Sequence, residues 1–229
     1  MRDTEPQEII TLKQLKDSYD RLFKRAPIQE SQEHYRWVLK VLAPEKGRRL
    51  VDIACGGGYF LREAETRDVK SFGFDLSTVA LGIAKGKACR SPLICGAGEE
   101  LPFRDNTFDY LTNLGSLEHF LDPKKGLREM ARVLKKGGKA LVLLPNSYFL
   151  MTIWNVLRTG STGRKTEQEV DRWATKEEWM KLIEDSGLKV QRILKYNYKS
   201  SRAPFRYKLV RPFIPLNLSY HLLYVCLKA

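Results

Sequence analysis

A chain of 229 residues is long enough to bury its own core, as one large domain or two small ones, which argues against disorder as the main state. Lys and Arg number 40 against 27 Asp and Glu, for a net charge of +13, while 43% of residues are apolar, so a globular protein with a basic surface and an anionic partner is expected. Cys55, Cys89, Cys95 and Cys226 form no Cys-x-x-Cys pair and no zinc spacing with histidine, which points away from a metal site and a disulfide framework and towards a reducing cytoplasm.

Met1 to Pro6 are polar and lack the apolar stretch of a secretory signal, so no export is expected. Residues 7–43 repeat apolar side chains at helical spacing, through Leu12, Leu15, Tyr19 and Leu22 and then Tyr35, Val38, Leu39 and Leu42, with a break at Ala26-Pro27. Two helices are expected there, as a cap over 1–46. Further on, β-rich runs at 50–53, 71–74, 92–95, 108–112 and 139–144 alternate with helix candidates at 58–66, 77–88 and 124–135. This alternation predicts a parallel sheet covered on both faces, in a domain over 47–229. Gly137-Gly138 is expected to stop the last of those helices.

Residues 140–157 are largely apolar, but Pro145-Asn146-Ser147 interrupts them, whereas a spanning helix needs about 20 apolar residues. A buried strand, a turn and an apolar helix at 148–158 are expected instead. A helix at 175–186 opens on a capping box, Thr175 with Glu178, and closes at Gly187. Strands are expected near 188–196 and 218–227, around an irregular stretch holding Pro204, Pro212 and Pro215.

The segment Val51-Asp52-Ile53-Ala54-Cys55-Gly56-Gly57-Gly58 carries a strand into a glycine cluster and a helix start. Glycine lets the chain turn sharply and lets a ligand approach the backbone. A dinucleotide fingerprint needs glycine three residues after Gly58, where Leu61 stands, and no Gly-Lys-Ser/Thr provides for a nucleotide triphosphate. Both absences turn the reading away from NAD and ATP.

Asp52 to Gly58 resembles the first motif of class I S-adenosylmethionine-dependent methyltransferases. The resemblance continues in order through Gly73-Phe74-Asp75-Leu76-Ser77, Glu99-Glu100-Leu101-Pro102-Phe103, Asn106-Thr107-Phe108-Asp109, Leu117-Glu118-His119-Phe120 and the run 127–138. It implies an α/β, Rossmann-like, doubly wound sheet of seven mostly parallel strands, with N-terminal helices, a substrate-covering insertion after the fifth strand (148–187) and C-terminal strands (188–229). S-adenosylmethionine is the implied cofactor. Its implied contacts are Asp52, Ala54, Cys55, Gly56 and Gly58 at the turn, Asp75 and Leu76 at the ribose, and Ala97, Gly98 and Glu99 at the adenine. Asn113 and Leu114 would line the methionine side, and Tyr19 would close over the cofactor. Ala97 departs from the family, which usually has aspartate there, so backbone groups around Ala97 and Gly98 are expected to recognise the adenine.

The resemblance also puts the acceptor beside the loop holding His119, which is therefore the candidate catalytic base, with loop packing as the alternative reading. His34, His221 and Tyr59 are expected to be structural. The apolar run from Tyr148 to Trp154 suits a lipid-like or aromatic acceptor, or else core packing. Lys189, Arg192, Lys195, Lys199, Arg202, Arg206, Lys208 and Arg211 form a basic stretch without acids, interleaved with Tyr196, Tyr198, Phe205 and Tyr207. It suits an anionic membrane surface, RNA, or plain solvation. Asn113-Leu114-Gly115-Ser116 lacks the Asn-Pro-Pro-Tyr of amino-methylating nucleic-acid enzymes, so a small-molecule acceptor, apolar or anionic, ranks first. An rRNA or tRNA methyltransferase ranks second, and a cofactor-binding protein without activity third.

Overall fold

The computed structural model describes residues 10–26, 28–87, 89–163, 168–197 and 209–229. Helix α1 (Leu12–Arg25) starts at a reciprocal capping box between Thr11 and Gln14 and ends at Ala26, whose extended backbone suits a residue before proline. Helix α2 (Gln32–Leu42) is capped by the Ser31 hydroxyl, which accepts from the His34 N–H, and buries Val38, Leu39 and Leu42.

The sheet comprises β1 (Arg49–Ile53), β2 (Lys70–Asp75), β3 (Leu93–Cys95), β4 (Phe108–Leu114), β5 (Leu134–Pro145), β6 (Leu188–Tyr196) and β7 (His221–Lys228). Between them run α3 (Tyr59–Glu65), α4 (Thr78–Gly86), α5 (Pro123–Val133), α6 (Leu150–Thr159) and α7 (Lys176–Glu184). Strand order is β3-β2-β1-β4-β5-β7-β6, with the first five parallel and β7 antiparallel to both its neighbours.

Alternation along β5 builds the two faces. Leu141 and Leu143 join Val38, Leu39, Phe60 and Leu61 on one side, while Ala140, Val142 and Leu144 join Leu127, Met130, Trp179 and Ile183 on the other. The chain runs outward from β1 in one direction and from β4 in the other, so the crevice beyond the C-terminal ends of β1 and β4 is the topological switch point.

Two boundaries differ from expectation. Helix α5 ends at Val133, and Leu134 already pairs with Phe108; Gly137, at φ 69°, and Gly138 lie inside β5, where the register jumps from Phe108↔Leu134 to Tyr110↔Lys139. The glycines therefore form a bulge and do not stop the helix. Strand β7 starts at His221 rather than near 218, because Leu216–Leu218 closes a turn of 3-10 helix tied by the Ser219 hydroxyl to the Pro215 carbonyl.

Candidate active site

A cavity of about 610 Å³ opens at the switch point. Its floor is the loop after β1, where Ala54 (φ 59°), Gly56 (φ 52°) and Gly58 (φ 70°) take left-handed conformations. The turn is closed from behind by Asp75, which ends β2: Asp75 Oδ2 accepts from the Gly56 N–H at 2.7 Å and Oδ1 from the Ser77 N–H at 2.7 Å. Burial lifts the Asp75 carboxyl to about 6 against the pull of those two N–H groups. Asp52 is also buried; burial raises it to about 7, opposed by the Thr112 hydroxyl donating to Oδ1 at 2.7 Å.

Tyr19, Asp52, Ala54, Cys55, Gly56, Asp75, Leu76, Ala97, Gly98, Glu99, Leu114 and His119 line this one cavity. Gly58 and Asn113 stand behind the wall. At Gly58 a Cβ would sit 2.9 Å from the Ala84 Cβ, so the glycine lets α3 start against α4. Asn113 donates to the Ile53 carbonyl at 3.2 Å and accepts from the Leu117 N–H at 3.1 Å, which fixes the turn of 3-10 helix at Leu117–His119. Glu99 faces the cavity, yet its carboxylate is engaged by the Leu121 N–H at 2.8 Å.

His119 Nδ1 lies 2.6 Å from the Val170 carbonyl, an obligate acceptor, so Nδ1 carries the proton and Nε2 keeps the lone pair. Burial lowers the His119 pKa. Glu118 is buried beside it with Oε1 3.8 Å from His119 Nε2, Oε2 has no partner among the described residues, and burial raises the carboxyl to about 8. The Tyr19 ring meets His119 edge-on at 6.4 Å, and burial raises its hydroxyl above the ordinary tyrosine range.

Three polar groups on this wall carried no site role in the sequence: Glu118, quoted only within a motif, and His34 and His221, both expected to be structural. The available signal for His34 was its place four residues before Val38, on the buried stripe of α2. Tyr59, expected only to pack, stacks on Tyr35 and takes a hydrogen bond from Lys87 at 2.6 Å at the cavity rim. Phe149, the N-cap of α6, and Met151, Thr152 and Asn155 on the helix reach the cavity, while Tyr148 before it and Trp154 and Leu157 on it are exposed, so this segment is not simply core packing.

Lys199, Arg202, Arg206, Lys208, Tyr198, Phe205 and Tyr207 lie outside the described residues. Lys195 is held by the Pro212 and Ile214 carbonyls at 2.9 and 2.8 Å, and Tyr196 donates to Glu30 at 3.0 Å. Among the described residues no cluster of His, Cys, Asp or Glu is arranged for a metal ion, and no helix is long and apolar enough to cross a membrane.

Residues 51–142 match the family described as a methyltransferase domain. A demethylmenaquinone methyltransferase of Corynebacterium kroppenstedtii is 42% identical over 104 residues, covering 45% of this chain and 44% of that protein. Its counterpart from Bacillus mycoides is 31% identical over 137 residues, covering 56% and 58%. The chain thus spans about half the length of these curated relatives. The methyltransferase solved with the Haloferax volcanii Trm112 activator superposes with a TM-score of 0.68 at 21% identity, covering 93% of this chain and 97% of that one. An S-adenosylmethionine-dependent methyltransferase of Mesorhizobium loti gives 0.66 at 17%, covering 86% and 100%.

Residues 51–142 thus match a methyltransferase domain, and the sheet that carries them has a Rossmann-like strand order. Over that segment the chain is similar to the quinone-biosynthesis group, represented by the demethylmenaquinone methyltransferases.

Proposed function

We propose that this chain transfers a methyl group from S-adenosylmethionine to a small aromatic acceptor of the quinone-precursor type. One observation carries the reading: a single cavity, well within the roughly 300–1,000 Å³ range of small-molecule sites, joins the glycine turn and Asp75 to an apolar, aromatic far end. The named activity of the quinone-group relatives supports the acceptor class.

The residues present fit the cofactor. At Gly98 a Cβ would lie 2.3 Å from the Phe120 ring, so bare backbone forms the wall beside Ala97, and Gly56 leaves another stretch bare. Asp75 spends one lone pair of each oxygen on backbone N–H groups and keeps the others for two hydroxyls. When bound, the cofactor supplies a methyl group activated by its sulfonium. Tyr19 and Leu114 exclude water from the neighbourhood of the acceptor. His119 receives the acceptor's proton on Nε2, and Glu118, neutral near pH 7, donates a hydrogen bond to an acceptor oxygen.

Calorimetric titration tests the cofactor half: micromolar binding of S-adenosylmethionine and S-adenosylhomocysteine is expected, with none of NADH. Labelled methyl transfer to 1,4-naphthalenediol tests the acceptor half. Absence of cofactor binding overturns the reading; transfer to RNA instead, falling steeply with salt, would favour the nucleic-acid alternative.

A further inference from the structure

The cavity has two halves. The wall over β2 and β3 holds Asp75, Leu76 and Ala97, and the wall over β7 and β6 holds His221, Tyr220 and, from α2, His34. Aromatic rings pack in the second half and, in Tyr196 and Trp37, behind it. His34 stands 4.3 Å from the Tyr196 ring and 5.9 Å from Trp37, Tyr196 stacks on His221 at 6.3 Å, and His221 meets Tyr220 at 4.2 Å. Phe149 meets Tyr220 at 5.0 Å.

Unsatisfied polar atoms are concentrated here. His34 is only 3% exposed, and among the described residues neither its Nδ1 nor its Nε2 has a partner; His221 Nδ1 is likewise buried without one. Buried polar atoms are nearly always hydrogen-bonded, so orphaned nitrogens on a cavity wall mark where a ligand's polar atoms belong. Both rings are neutral at pH 7, since burial lowers His34 to about 4 and His221 to about 3. A neutral imidazole both donates and accepts, which matches a hydroxyl or a carbonyl and gives no advantage to a carboxylate or phosphate.

We propose that His34 and His221 form the oxygen-recognising end of the acceptor site, selecting a flat aromatic ring that carries hydroxyl or carbonyl oxygen. This inference rests on the methyltransferase reading, because the opposite half of the cavity must be left to the cofactor. It assigns a specificity role to two histidines that helix periodicity and strand position alone mark as structural. Tyr220 and Phe149, which line the cavity, supply stacking for the acceptor's faces, and the two imidazoles supply its in-plane hydrogen bonds.

The test compares 1,4-naphthalenediol, kept reduced under argon, with naphthalene, both titrated by tryptophan fluorescence at saturating S-adenosylhomocysteine. The intact protein is expected to bind the diol about tenfold or more tightly than naphthalene, because a site built to hydrogen-bond a hydroxyl rejects the analogue lacking it. His34→Phe and His221→Phe should each shrink that ratio about fivefold or more while leaving the S-adenosylhomocysteine dissociation constant within about twofold. If His34→Phe does not fold, His34→Gln, which keeps one donor and one acceptor, should retain at least half of the discrimination. Loss of S-adenosylhomocysteine binding in the intact protein, with the diol still preferred, defeats the methyltransferase reading and leaves the histidine site standing. Cofactor binding with a diol preference that survives both substitutions defeats the histidine site.

Discussion

The Asp20 carboxylate on α1 accepts a 2.6 Å hydrogen bond from the Ser77 hydroxyl at the N-terminus of α4. That hydroxyl also caps α4 by accepting from the Ala80 N–H, and the Ser77 N–H donates to Asp75, which in turn holds Gly56. Lys16 closes the other side of Asp20 at 2.6 Å. The front helix is therefore linked, through Ser77, to the carboxylate that shapes the cavity floor.

Asp20→Ala should release α1. Amide hydrogen exchange over residues 12–25 is expected to accelerate, and S-adenosylhomocysteine affinity to fall about threefold or more. Ser77→Ala removes a helix cap as well and should cost about 1 kcal/mol of stability. Unchanged exchange in α1 would show that Asp20 does not hold it.

Asp75→Ala should weaken S-adenosylmethionine binding by about 1.5–3 kcal/mol through lost charge-assisted hydrogen bonds, roughly ten- to hundredfold by calorimetry. An unaltered dissociation constant would remove Asp75 from the site.

Gly98 admits no side chain. Gly98→Ala would press a methyl group against the Phe120 ring, so about 1–3 kcal/mol of stability should be lost in thermal unfolding, along with cofactor affinity. Shortening the ring by Phe120→Leu in the same chain should recover part of both losses, whereas no recovery would locate the strain elsewhere.

Burial raises Glu118 from 4.5 to about 8 and Asp52 from 3.8 to about 7. Between the unfolded and folded values the native protein keeps a proton that the unfolded chain has released, so stability falls as pH rises through that window. The histidines act oppositely, but only below 6.5, because their folded values are lowered. Between pH 7 and 8 Glu118 is thus the dominant contributor. The Tm should drop over that interval in the native protein and stay nearly level in Glu118→Gln; parallel curves would contradict the buried, neutral Glu118.

The glycine turn and Asp75 were legible because their signals are local: a strand, a bend that needs positive φ, and an acid at the next strand end. The alternating strands and the Thr175–Glu178 box were readable for the same reason. Gly137-Gly138 misled because a glycine pair marks a helix stop and a bulge alike, and only the Phe108↔Leu134 pairing separates them. His34 and His221 escaped because each alone reads as a buried ring; their chemistry emerges when α2 and β7 meet across Tyr196. Asn113 sat one step from the wall, since its side chain turns back to Ile53 and Leu117.

Strand β7 follows both of its neighbours in the chain yet lies between them. During synthesis β5 and β6 therefore emerge first and must wait with bare edges, unable to pair with each other across the gap that β7 will fill. Those edges are templates for other nascent chains in the interval. Completion of the sheet, and with it the delivery of His221 to the cavity, is a single late event that a ribosome stalled before residue 221 would never reach.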